Sequence, residues 1–239
     1  MSLVAKFKDL QSLSSGYKYI PFKNALQPYL VLFLISFFVF VNSINNEVAY
    51  DDEIVLHRNE FVMKGIKGIP SIITHDSYYS YYKQLGMENS LPAGRYRPLS
   101  FITFAIEQEF IGTIPDGIVR PDSWDINKNR LKDQFEDTNK DGIYNEYDFW
   151  VRGAHLRHFV NVLLYSLLII LIYHVLIMFL FSNSKDMIFA AIFLFALHPL
   201  HTEVVANIKS RDEILSLIFI FSTLFFSFKY INENSKKHV

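Results

Sequence analysis

Polarity is spread unevenly along this chain. Residues 24–46 carry no charged side chain, and their centre, residues 29–41, reads YLVLFLISFFVFV. About 20 apolar residues in helix span a bilayer, so this run predicts a transmembrane helix over residues 26–44. Residues 158–184 form a second uncharged run with the core FVNVLLYSLLIILIYHVLIMFLF, which predicts a span over 158–182. Two shorter runs follow, MIFAAIFLFALHPLHT at 187–202 and ILSLIFIFSTLFFSF at 214–228. They predict spans over 187–201 and 213–231, each slightly short of a bilayer at about 1.5 Å per residue. Lys229 and Tyr230 can snorkel and extend the last one, and the rival for this pair is a re-entrant hairpin. The expected fold class is an all-α multi-pass membrane protein with about four transmembrane helices.

Basic residues orient the spans. Lys6, Lys8, Lys18 and Lys23 lie in the 1–25 tail, Lys185 in the loop after the second span, and Lys229, Lys236 and Lys237 near the end. With four spans these all fall on one side, so the positive-inside rule places both termini in the cytoplasm and the chain in the cytoplasmic membrane. Residues 45–157 are then one large outer loop, 202–212 a short one, and 232–239 a cytoplasmic tail. The N-terminal apolar run is long, starts late and lacks a small-x-small site, which predicts a retained anchor rather than a cleaved signal. The large loop is too rich in aromatic and aliphatic residues for disorder, with YYSYY at 78–82. In PLSFITFAIEQEF the residues Phe101, Phe104, Ala105 and Ile106 are expected to share a helical face, lying on the membrane surface or packing onto the spans. No internal repeat or low-complexity tract stands out.

Composition narrows the classes. The 239 residues carry 23 Lys+Arg and 24 Asp+Glu, a net charge of −1, which leaves no electrostatic footprint for nucleic acid. Cysteine is absent, so disulfides, thiolate metal sites and cysteine nucleophiles are excluded, and any metal is held by oxygen or imidazole. Hydrophobic residues at 51% beside charged residues at 20% fit a membrane protein with one sizeable polar portion. The bias toward Phe, Ile, Asn and Lys fits a bacterium with AT-rich DNA.

Three strings carry candidate chemistry. Asp51-Asp52-Glu53 follows the first span; adjacent carboxylates at a membrane face repel, so a pKa rises or a cation is recruited, which suits a general base or a metal, or else a solvated helix cap. His201, Glu203, Lys209, Arg211 and Asp212 crowd the short outer loop, where His and Arg could grip a phosphate and the acids orient a sugar, or the charges simply meet water. Arg95 and Arg97 in GRYRPL read as phosphate partners or headgroup anchors. The third string matches the calcium-loop template: Asp137, Asn139 and Asp141 at positions one, three and five, Gly142 at the turn, the Ile143 carbonyl, Asn145, and Asp148 at position twelve. Asp148 stands where Glu is usual, which resembles dockerin-type loops. The expectation is a structural calcium ion that staples the outer loop, against an Asx-rich turn without metal.

The order of these features resembles the N-terminal part of GT-C type membrane glycosyltransferases, which use polyprenyl-phosphate sugars. Within that class it is most similar to the transmembrane and tetratricopeptide-repeat O-mannosyltransferases and their bacterial relatives. The resemblance rests on YDDEIV at 50–55, YRPLSFITFAIE at 96–107, HFVNVLLYSL at 158–167 and FALHPLHTEVVANIKSRDEIL at 195–215. It implies that Asp51 or Asp52 takes the proton from an acceptor hydroxyl, and that Arg97, His201, Glu203, Arg211 and Asp212 bind donor or substrate. A single inverting displacement with lipid phosphate leaving needs positive charge, a role for Arg97 or Arg211. Members of that family have many more than four spans. The resemblance therefore implies a fragment, a split enzyme whose missing helices come from another membrane chain, or a non-catalytic subunit whose calcium-stapled loop docks a partner.

Overall fold

The computed structural model describes residues 17–49, 51–87, 96–120, 122–123, 125, 128–134, 137 and 140–235, and every regular element among them is helical. Three helices are long and apolar enough to cross a membrane: Gln27–Asn45, Asp148–Leu180 and Arg211–Asn234. The third expected span behaves differently. Its helix, Lys185–Ala196, has 12 residues, about 18 Å against a hydrocarbon core of about 30 Å. The helix stops before His198-Pro199, because proline disfavours helical geometry in the residue before it and cannot donate a backbone hydrogen bond.

The chain divides into two compact units, one of residues 1–42, 162–205 and 213–239, the other of residues 43–161 and 206–212. In the first unit aromatic side chains join the apolar helices. Tyr29 meets Tyr173 edge-on at 5.2 Å, and its hydroxyl lies 2.8 Å from His174 Nδ1. Phe40 meets Tyr165 edge-on at 5.3 Å, and Phe225 contacts both His174 and Phe179. These contacts place a hydroxyl or imidazole at the few points where the apolar runs are broken, so the polar atoms are partnered rather than buried alone. Asp186, in the first turn of Lys185–Ala196, accepts hydrogen bonds from the backbone amides of Lys18 and Ile20.

The second unit holds the polar portion. Its core is Val55, Leu56, Phe61, Val62, Met63, Ile72, Phe101, Phe104, Ala105, Phe149 and Ile208. Each large side chain here contributes about 1.5–3 kcal/mol by leaving water. The helix Pro98–Ile111 supplies the spine: Pro98 sits where its missing N–H costs nothing, and Phe101, Phe104 and Ala105 face inward as expected. Ile106 does not join them and is 42% exposed. At about 100° per residue it lies well off the 101/104/105 stripe, and that face is completed instead by the buried Gln108 and Glu107. Short helices Glu60–Met63, Gly65–Gly68 and Ile69–Thr74 pack on the spine, and Asp52–Val55 and Tyr79–Gln84 are further short helices of the unit. Asn59 caps Glu60–Met63 by accepting from the amides of Phe61 and Val62. Gly117, at φ 78°, is required by close approach, since a Cβ there would fall 2.1 Å from the Glu60 carbonyl oxygen.

Candidate functional site

The acidic string Asp51-Asp52-Glu53 diverges onto three separate surroundings. Asp51 stands at the N-cap position of Asp52–Val55, yet its side chain makes no cap bond. It pairs instead with the ammonium of Lys209, and the Asp51 side chain is 51% exposed. Glu53 pairs with Arg58 at 2.6 Å. Asp52 is 0% exposed. Its Oδ2 accepts from the Ala49 amide at 3.1 Å and its Oδ1 from the Lys209 amide at 2.7 Å. Burial pushes the Asp52 carboxyl above the usual carboxylate range, opposed by these amides, by that of Ile208 and by the charge of Arg157. The shift foreseen from charge crowding therefore has a different origin, since desolvation, not repulsion among the three neighbours, is its main cause.

Asp52 thereby fastens the start of the outer loop to residues 206–212, the polar stretch that precedes the last long helix. Beside that junction Arg97 pairs with Asp212, with the Arg97 side chain 54% exposed. The hydroxyl of Ser77 accepts from the Arg97 amide at 2.9 Å. Asp51, Asp52, Arg97, Lys209 and Asp212 are thus held in one unit by direct bonds to one another or to its backbone. Lys209 is held more firmly protonated than usual, mainly by Asp51.

Arg211 has a different environment from the one expected of a phosphate ligand. It is 0% exposed, and each guanidinium nitrogen is engaged. Nε donates to Asn161 Oδ1 at 2.7 Å, Nη1 to Thr103 Oγ1 at 2.9 Å and Glu107 Oε1 at 2.5 Å, and Nη2 to the Arg157 carbonyl at 3.0 Å. The guanidinium also lies 4.4 Å from the Phe104 ring centroid, a cation–π contact. Arg157, equally buried, donates to Gln108 Oε1, and its Nε is 3.8 Å from Glu107 Oε2. Glu107, Gln108, Arg157 and Asn161 were not singled out by sequence reasoning. A signal for them exists: Glu107 and Gln108 interrupt the apolar stripe of their helix, and Arg157 and Asn161 lie four apart, on one helical face.

His201 and Glu203 belong to the first unit. His201 Nδ1 lies 2.9 Å from the Tyr165 hydroxyl, its ring is 4.5 Å from that of Phe195, and Glu203 is exposed. Tyr50, Arg95 and Asn139 lie outside the described residues. Elsewhere in the second unit a cavity of about 800 Å³ is lined by Thr113, Asp116, Arg120, Asp125, Lys128 and Phe149 among others.

In the 137–148 loop, Asp137 accepts from the amides of Asp141 and Gly142, and Asp141 from that of Ile143. Asp148 accepts from the Asn145 amide at 3.0 Å while Asn145 O accepts from the Asp148 amide, a reciprocal bond that opens the helix Glu146–Arg152. Among the described residues no group of three or more His, Asp or Glu side chains is gathered as a metal would need.

His57 is a buried group outside all three strings. It stacks on Trp150 with ring centroids 5.1 Å apart, and neither ring nitrogen has a hydrogen-bond partner. Burial, reinforced by the charge of Arg157, holds its pKa well below the usual imidazole value. The native state therefore binds a proton less readily than the unfolded chain. The stability that follows is present above about pH 6.5 and is lost as pH falls toward the native value, at up to about 1.4 kcal/mol per pH unit. His57→Phe is expected to raise the unfolding midpoint more at pH 5 than at pH 8; equal shifts at both would contradict this account.

Comparison with known proteins returns no match, neither to a family model, nor to a curated protein, nor to a solved structure. The functional conclusion rests on the residues themselves.

Proposed function

We propose that this chain is a membrane glycosyltransferase, or the catalytic-Asp-bearing part of one, moving a hexose from a polyprenyl-phosphate sugar to an acceptor hydroxyl outside the cytoplasm. The observation that carries the reading is the bond from the Lys209 amide to Asp52, which joins two of the four strings that carry the resemblance to GT-C enzymes. In this reading Asp51 is the base, because it alone of the acidic pair reaches solvent. Asp52 is a positioning residue, its oxygens occupied by backbone amides. The acceptor oxygen attacks the anomeric carbon, its proton passes to Asp51, and the bond to phosphate breaks with its electrons leaving on the lipid phosphate, inverting the centre. Lys209, partly buried and paired with Asp51, and the exposed Arg97, paired with Asp212, are the cations that can balance that charge. Arg211 anchors the start of its helix.

The same bond bears on topology. Residues 52 and 209 meet, so they lie on one side of the membrane, and the chain between them crosses an even number of times. If Asp148–Leu180 crosses once, residues 185–205 make the return, the short helix Lys185–Ala196 covering most of the thickness. Because the chain holds no cysteine, single cysteines report this directly. At the exposed positions Asn183 and Thr202 they are expected to be labelled from opposite faces, Asn183 from the cytoplasm. Labelling of both from one face would leave a single crossing, set residues 52 and 209 on opposite sides and so overturn the contact between them.

The function itself is tested by deleting the gene and reading glycans by mass spectrometry after restoring the wild type or the Asp51→Asn variant. A glycan that disappears and returns only with the wild type supports transfer. Restoration by both leaves a non-catalytic membrane subunit as the better reading.

A further inference from the structure

We infer that the helix Pro98–Ile111 lies along the bilayer surface, and that its exposed apolar row, Leu99, Ile106 and Phe110, is seated among lipid headgroups and the first carbons of their chains. This goes beyond glycosyl transfer and does not depend on it. The helix is apolar on two sides. Phe101, Phe104 and Ala105 fill the core of the second unit. At about 100° per residue Leu99, Ile106 and Phe110 fall within about 40° of one another, away from that core face. They are 43%, 42% and 82% exposed. A single exposed leucine or isoleucine is ordinary, but three large apolar side chains in one row, ending on an almost uncovered phenylalanine, mark a surface that meets something other than water. Ile66, 53% exposed, stands on the flank of the row, where its amide donates to Glu109 Oε2 at 3.1 Å.

The bonds of this helix say what covers the row. Arg97, just ahead of it, pairs with Asp212, while Thr103 and Glu107 both accept from Arg211 Nη1. Positions 97 to 107 extend over about 15 Å at about 1.5 Å per residue, yet all three reach two adjacent residues in the first turn of Arg211–Ser235. Two helices running side by side would shift their contacts along both chains. Contacts that stay at one end mean that Pro98–Ile111 passes across the end of the other helix. That other helix is long and apolar enough to cross a membrane, and its uncharged run begins at Ile214, three residues beyond Arg211. Toward its C-terminal end the same helix meets a second span, because Gln108 Oε1 accepts from Arg157, the last charged residue before the uncharged run 158–184.

One helix is therefore fastened to the polar ends of two membrane-crossing helices, which sets it at the boundary between water and hydrocarbon. Passing across a span, it lies in the plane of the bilayer. Thr103, which binds Arg211, stands about 40° from Leu99, so the row adjoins the side of the helix that carries the span. Tyr96, 55% exposed, and Arg97, with its side chain 54% exposed, precede the helix and are residue types that anchor at headgroup level. Lipid, rather than a second copy of the chain, is the occupant, because the row stands at this boundary whether or not a partner is present. The sequence pattern pointed to residues 101, 104 and 105 for this task, and the structure gives it to the other side, since those three fill the core.

The test uses the whole chain in vesicles of phosphatidylcholine and phosphatidylglycerol. Because the chain holds no cysteine, Leu99→Cys, Ile106→Cys, Phe110→Cys and the control Asp122→Cys, all at exposed positions, each carry a single nitroxide label. Relaxation of the label by oxygen, which concentrates in lipid, is compared with relaxation by a water-soluble nickel chelate. The oxygen-to-nickel ratio at the three row positions is expected to exceed that at Asp122 by about tenfold, the contrast between a depth of about 5–10 Å in the headgroup and acyl boundary and open water. A ratio equal to the control would place the row in water and overturn the inference. Exclusion of both reagents would show the row covered by protein, a second copy or another chain, and would overturn it as well. Neither reagent involves a sugar, so the glycan experiment succeeds or fails by itself.

Discussion

Asp51→Asn is expected to reduce glycosyl transfer by about 10²–10⁴-fold, the usual contribution of a positioned general base, while the protein still folds. The expectation follows from the division of labour within the acidic pair. Asp51 is half exposed, has no capping bond to lose and is paired to a solvent-accessible lysine, so the amide variant removes a base and little else. Asp52→Asn should behave in the opposite sense. Asn can accept from only one of the two amides its carboxylate serves, which leaves a buried donor short by about 1–3 kcal/mol. Its loss is expected in folded yield and unfolding midpoint, with transfer per folded molecule far less affected. The measurement is initial-rate transfer from a polyprenyl-phosphate hexose, normalised to folded protein, for both single variants. Full activity in Asp51→Asn would remove it as the base.

Glu107→Ala is expected to be the most destabilising single change in the second unit, at about 3–5 kcal/mol, out of a total that for folded domains is typically about 5–15 kcal/mol. Glu107 is the acidic partner at 2.5 Å from Arg211 and 3.8 Å from Arg157, both of which are essentially without solvent contact. Removing it strands two buried guanidinium groups and opens space beside Phe104. Arg157→Met should cost less, because the closer Glu107–Arg211 pair survives and the methionine stem fills part of the volume. Chemical unfolding of the two variants in detergent checks the order. Equal stability of both would mean that the pair is better hydrated than its burial implies.

Much of the architecture was legible in the order of residues. A long uncharged run has one cheap solution in a bilayer, because a helix satisfies every backbone group internally, and the runs at 24–46, 158–184 and 214–228 each supply such a helix. The 187–201 run, already short for a span, forms the 12-residue helix Lys185–Ala196, which stops ahead of Pro199. For the site, the sequence identified Asp51, Asp52, Lys209, Arg211 and Asp212 as dense polar groups beside membrane segments, where polarity is costly without a partner.

What the sequence could not assign is which partner each would find. Asp51 and Asp52 are chemically identical neighbours, and only the approach of residues 208–209 decides that one is enclosed by backbone amides and the other left beside an ammonium. Likewise Arg211 reads as a phosphate ligand until Glu107, Asn161, Thr103 and the Arg157 carbonyl close around it. Local pattern is set by periodicity and propensity, which act within a few residues of the chain. Burial and charge pairing act between residues about 50 to 160 positions apart, so they exist only once the tertiary fold has brought Asp52 to Lys209 and Glu107 to Arg211.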